Sequence, residues 1–232
     1  MCLGRGRAAG HTATSTWAEL KLPLVDRIGR ELDVTWPDYG GEQVRQMSRL
    51  RMIPREWVER LTRADGWAVL IRLQSEKQYS DSLEHLTERP HANEHSDEGS
   101  ADTFEWDANA KWVELLQMLL HVAGHGTVRR LLRPRLIVLL SCYDEVAVAT
   151  DETPAAVLER WLPLLSAFIN SNWSAGAATV WGISPLGKPL TPDSRDTDFI
   201  DDGPELQGWI VQPDGSKCDD LSLPLAWLLE AT

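Results

Sequence analysis

The run at residues 135–142, RLIVLLSC, constrains this fold more than any other stretch of the chain. Successive side chains of a strand point to opposite faces, so an unbroken aliphatic run of this length is apolar on both sides and must be covered on both. That is the position of a central parallel strand with helices above and below it. Residues 66–73, GWAVLIRL, read as a second strand of the same kind, and residues 177–183 as a third. Helical spacing lies between them. Trp112, Leu115, Leu116, Leu119 and Leu120 recur on one face of residues 108–123, which end at Gly124 and Gly126. Residues 153–169 are predicted to form one further helix with Pro154 at its start. Ahead of these units, residues 16–24 and 30–36 alternate apolar and polar positions about turn-forming residues 26–29, which predicts a β-hairpin. A helical segment at 42–64 follows it, broken near Pro54. A loop rich in Pro, Gly and Asp, a short strand at 209–211 and a final helix beginning near Asp219 or Asp220 complete the chain. The sum predicts an α/β fold, a three-layer sandwich with a mostly parallel sheet.

Composition narrows the function. The 232 residues, 43% hydrophobic, suffice for one core, so residues 17–232 are expected to form one domain behind a disordered segment at 1–16. A polar, acidic stretch at about 74–107 lacks any apolar period and is expected to be a flexible insertion. The net charge of −12 argues against nucleic acid as a partner, because nonspecific affinity for phosphate backbones comes from clustered cations. The arginine-rich patch at 129–135 reads as a solvated connector. Three dispersed cysteines, Cys2, Cys142 and Cys218, suggest neither a disulfide framework nor a thiolate zinc site and fit a reducing cytoplasm. No leader-like or membrane-spanning run is evident, so no membrane partner is expected. Most of the 11 tryptophans are expected in the core or half-buried against it.

Ligands of open α/β sheets bind beyond the carboxyl ends of the strands, which singles out residues 38–42, 141–145 and 184–188. The first, DYGGE, is an Asp-x-x-Gly loop. The second, SCYDE, offers Asp144, whose carboxylate can accept from the ring N–H and the exocyclic amine of guanine together, an edge that adenine does not present. The third, Ser184-Pro185-Leu186-Gly187, is a turn that can bring backbone amides to a base.

These loops, in this order after strands, resemble those of bacterial TRAFAC-class P-loop GTPases of the double-GTPase kind. The likeness extends to IPREWVERL, LIVLLSCYDE, VWGIS, GWIVQPDG and DDLSLPLAWLL and spans residues 17–230. The resemblance implies a GTP-binding switch that hydrolyses GTP with Mg2+ as cofactor. Asp38 would be the catalytic aspartate holding magnesium through a water, Gly41 the amide donor to the γ-phosphate, and Glu42 would stand where a water-orienting Gln is usual. Ser141, Asp144 and Ser184 would bind the nucleotide, with Asp144 reading guanine. Cys142 stands where such proteins carry a lysine that packs over the base. The resemblance also implies a cytoplasmic protein that works with protein partners in bacterial conflict or signalling systems.

One part of that machine is missing from the sequence. The nearest approach to a Gly-rich Walker A loop is GRGRAAGHT at residues 4–12, where the glycine spacing is off by one and His11 stands in place of lysine. Losing three or more charge-assisted hydrogen bonds to phosphate costs about 5 to 9 kcal/mol, roughly three to six decades of affinity. The chain as given is therefore expected to be a truncated or degenerate GTPase domain with little nucleotide binding of its own. The alternative is a non-enzymatic protein-interaction module that keeps the fold.

Other sites compete weakly. His91-Ala92-Asn93-Glu94-His95 matches an inverted zincin pattern, but Pro90 precedes it and no apolar face fixes it as a helix. His121 and His125, at i, i+4, end a helix without a third ligand near in sequence. Lys188 and Lys217 are expected to be solvated, and Cys142 to be an inert strand-end residue.

Overall fold

The computed structural model describes residues 18–25, 28–29, 31–38, 47, 50–76, 107–126, 128–146, 152–190 and 195–229. The chain begins with the hairpin. Strands β1 (Ala18–Val25) and β2 (Glu31–Asp38) pair antiparallel with Val25 opposite Glu31 and Ala18 opposite Asp38. Gly29, at φ +84, supplies the left-handed residue of the turn between them. Helix α1 (Arg55–Arg63) starts directly after Pro54 and lays Trp57 and Leu61 against the main core.

The second sheet has five strands in the order β3 (Gly66–Ile71), β4 (Arg135–Ser141), β5 (Ala178–Ser184), β6 (Trp209–Val211) and β7 (Lys217–Cys218). β3, β4 and β5 run parallel, with Ile71 beside Leu140 and Leu140 beside Gly182. β6 and β7 continue the sheet antiparallel. β4 is the pivot. Its Leu136, Val138 and Leu140 enter the larger core with α2 (Ala108–Val122), α3 (Pro154–Trp161) and α4 (Pro163–Asn172). Its Ile137 and Leu139 enter a smaller core on the other face, with Trp181, Ile210 and side chains of α6 (Leu223–Leu229). Each of these β4 side chains is at least nine-tenths buried, and each such burial contributes about 1.5 to 3 kcal/mol. Helices thus cover both faces, and the fold is the three-layer α/β sandwich expected from RLIVLLSC. The parallel character belongs to β3, β4 and β5, from one edge of the sheet to its middle strand.

Several boundaries differ from expectation. The single helix predicted over 153–169 is two. Pro163 has no N–H to give and its ring crowds the preceding turn, so Leu162 leaves helical geometry at φ −133, ψ 67 and the chain restarts as α4. The strand predicted to reach residue 73 stops at Ile71, and Leu73–Ser75 is a 3-10 turn. The insertion is tied down at both ends. Gln74 Nε2 donates to the Glu145 carbonyl at 3.0 Å, Glu76 pairs with Lys111 at 2.9 Å, and Asp107 caps α2 by accepting from Asn109 N at 2.8 Å. Residues 1–17 and 77–106, and with them most of the predicted disorder, lie outside the described residues. A short helix, α5 (Thr197–Asp201), lies in the region read as loop, and β7 stands between the short strand and the last helix. The last helix begins three residues later than Asp220, whose carboxylate accepts from Ser222 N at 2.9 Å. The arginine-rich connector is partly anchored, since Arg133 pairs with Asp65 at 2.8 Å and Arg135 donates to the Trp227 carbonyl. Trp67, Trp112, Trp173 and Trp181 are buried, as expected.

Among the described residues no helix is long and apolar enough to cross a membrane.

Candidate functional site

Three loops leave the carboxyl ends of the adjacent parallel strands β3, β4 and β5, and side chains stitch them together. Ser141 is the last residue of β4. Cys142 then adopts the left-handed conformation, φ +50, and turns the chain into a 3-10 turn at Tyr143–Glu145. A non-glycine residue there is strained by about 1 to 2 kcal/mol, so neighbouring packing must hold the turn. Tyr143 provides it. Its ring lies on Gly182 of β5 so closely that a Cβ there would come within 2.7 Å of ring atoms, and it meets Trp209 edge-on with centroids 6.4 Å apart. Tyr143 is 3% exposed, and burial pushes its hydroxyl from an ordinary value near 10 up to about 12.

With Tyr143 pinned, Asp144 faces the end of β5. Ser184, fully buried, donates its hydroxyl hydrogen to Asp144 Oδ1. A carboxylate has about four acceptor positions and the hydroxyl fills one, so Asp144 keeps the capacity for two parallel N–H donors. The loop after Ser184 is held as well. Gly187 N donates to the Ser184 carbonyl at 3.2 Å, Trp209 Nε1 donates to the Gly187 carbonyl at 3.2 Å, and Gly187 sits at φ +71 against Gln207, where a side chain has no room.

The third loop contributes a cation. Arg72, directly after β3, makes a two-pronged pair with Glu145, Nε to Oε2 at 2.9 Å and Nη2 to Oε1 at 2.6 Å. The hydrogen bond that Arg72 donates to Glu145, with the negative charges of Glu145 and Asp144, raises the Arg72 pKa further. Burial pushes the Cys142 thiol up against the opposing pull of Arg72, which keeps it a thiol and agrees with an inert role.

Of the residues singled out in the sequence, Ser141, Asp144 and Ser184 come together at this edge. Asp38 is the last residue of β2, paired with Ala18 in the hairpin ladder. Gly41 and Glu42 lie outside the described residues, as do His91, Glu94 and His95 of the zincin-like pattern. Among the described residues no three His, Cys, Asp or Glu side chains gather as a metal site. His121 lies in the last turn of α2, and His125 beyond it meets Trp67 edge-on at 6.2 Å. The two lysines expected to be solvated are engaged: Lys188 pairs with Asp196 at 3.0 Å and Lys217 lies 4.1 Å from the Trp209 ring centroid. No sequence motif assigns a role to Arg72, Tyr143 or Gly182. The available signal was Gly182 itself, since a glycine inside an apolar strand marks close approach by another group.

The arrangement at β4 and β5 is a rigid acceptor beside a tight turn, suited to the hydrogen-bond-donating edge of a flat heterocycle. The sequence model of the family Double-GTPase 1 matches residues 1–228. No curated protein and no solved structure matches the chain. A match over nearly the whole chain, together with the α/β sheet and its loops, makes this protein a member of the Double-GTPase 1 family.

Proposed function

We propose that this domain binds guanine nucleotide at the carboxyl ends of β4 and β5, with Asp144 reading the base edge and Ser184 holding that carboxylate in place. The observation that carries the reading is the hydrogen bond from the buried Ser184 hydroxyl to Asp144 Oδ1, which fixes an acceptor at a strand end within a GTPase family. Ionised Asp144 accepts from guanine's ring N–H and its exocyclic amine, and two charge-assisted bonds contribute about 1.5 to 3 kcal/mol each. Adenine, without a ring N–H on that edge, leaves the acceptor unmatched.

The phosphate end is assigned to Asp38, Gly41 and Glu42 through the Asp-x-x-Gly pattern that closes β2. Magnesium, when bound, would neutralise charge on the phosphates, and Asp38 would hold it through a water. The described side chains supply no cluster of acids for a directly ligated ion. With no Walker A pattern among its 232 residues, the chain by itself binds GTP weakly, led by the base rather than by the phosphates. In this reading the domain works in the cytoplasm as a switch toward a protein partner. Titration of the purified chain with GTP and ATP, followed by protein NMR, tests it. The expected result is binding of GTP in about the millimolar range, near 4 kcal/mol, with ATP weaker by tenfold or more. Equal binding of the two removes the base-reading role, and micromolar GTP affinity removes the claim that the phosphate grip is weak.

A further inference from the structure

Arg72 lies outside every motif that drew attention to this edge, yet its position is closely defined. Ile71 is in register with Leu140, so Arg72 leaves β3 alongside Ser141, level with the turn that carries the acceptor. Its fork is held by Glu145, the residue after Asp144 in the same 3-10 turn, at 2.9 and 2.6 Å. Gln74, two residues further along, donates to the Glu145 carbonyl at 3.0 Å, so the ends of β3 and β4 are tied at side chain and backbone together. The pair is asymmetric in exposure. The Glu145 side chain is 19% exposed and that of Arg72 is 52% exposed, so a mostly buried carboxylate holds the edge of a guanidinium that remains open to solvent.

We propose that Arg72 is a base-stacking residue of the nucleotide site: its guanidinium, kept flat and oriented by Glu145, covers one face of the purine whose edge Asp144 reads. This rests on the guanine reading of Asp144. A planar cation whose Nε and Nη2 edge is engaged by a carboxylate still offers its face, and guanidinium planes stack on aromatic rings. Glu145 is a positioning residue that acts through Arg72. Cys142, next to the same cation, has neither the charge nor the length to cover a base, so the neighbouring strand supplies that function.

The test measures binding of guanosine, GDP and adenosine to the full chain and to Arg72→Ala and Arg72→Lys, by NMR titration, with the melting temperature of each ligand-free protein recorded. The expected result is that Arg72→Ala weakens guanosine and GDP by the same factor, about fivefold as cation–π contacts run, with Arg72→Lys in between because it keeps charge and loses the plane. A loss for GDP alone makes Arg72 a phosphate contact and overturns the proposal, as does unchanged binding while the wild-type chain still prefers guanosine to adenosine. A wild-type chain without that preference overturns the guanine reading and the stack with it. An ion pair that only joined two loops would lower the melting temperature and leave the nucleoside affinities of the folded variants equal. Arg72→Lys decides the matter should Arg72→Ala not fold.

Discussion

The two ends of the proposed site are built in opposite ways. At the base end, Tyr143, Asp144, Glu145, Gly182 and Ser184 come from two adjacent central strands and are locked by contacts about 40 residues apart in sequence. At the phosphate end, Asp38 terminates a two-stranded hairpin that forms its own sheet and carries apolar side chains in solvent, among them Val25 at 65% and Ile28 at 78% exposure. The hairpin follows from local alternation and a glycine turn. The base end exists only once the sheet and both its cores are formed. The proposed base-reading geometry is thus tied to global stability, whereas the hairpin that ends at Asp38 is paired within its own two strands.

The largest effect that separates the two regions is on folding. Leu140→Ala, at a fully buried position of β4, is expected to cost about 2 to 5 kcal/mol in urea unfolding. Ile28→Ser in the hairpin turn should stay within about 0.5 kcal/mol, and equal losses would erase the contrast. Next comes Gly182→Ala, which pushes a methyl into the Tyr143 ring and should cost about 1 to 3 kcal/mol while lowering the preference for guanine. A stability loss with the base preference untouched would show that Tyr143 does not position Asp144. Ser184→Ala should cost about 1 kcal/mol and loosen base discrimination without moving the hairpin's NMR signals.

The smallest effect concerns pH. The folded pKa of Tyr143 is raised, so the folded state holds its proton more tightly than the unfolded chain does. That stabilisation is complete below an ordinary value near 10 and is lost as pH climbs toward about 12. Wild type should therefore lose melting temperature more steeply than Tyr143→Phe across that window, and parallel slopes would place the Tyr143 hydroxyl in solvent.

The parts legible in the sequence were those whose partners are repeated locally. β4 declared itself through five aliphatic residues in a row, and α2 through Trp112, Leu115, Leu116, Leu119 and Leu120 on one face. The break at Leu162 was hidden because Leu158, Leu162, Leu165 and Ile169 keep helical spacing straight through it, and Pro163 was the sign to heed. Asp144 and Ser184 were legible as strand-end residues, but their bond spans 40 positions and no periodicity announces it. The clasp between Arg72 and Glu145 spans 73 and was out of reach for the same reason. Lys188 and Lys217 looked solvated because an ion pair within a loop and a cation over Trp209 depend on how α5 and β7 fold back.

The central claim is that Asp144 reads guanine, and exchanging its carboxylate for an amide tests it most directly. Asp144→Asn replaces one acceptor oxygen by an N–H2 donor, which matches the carbonyl that xanthine carries where guanine has its amine. Titrated with guanosine and xanthosine nucleotides, wild type should prefer guanine and Asp144→Asn should prefer xanthine, each by about tenfold, which corresponds to 1.4 kcal/mol. An Asp144→Asn protein that folds and keeps the wild-type order of the two bases would contradict the account.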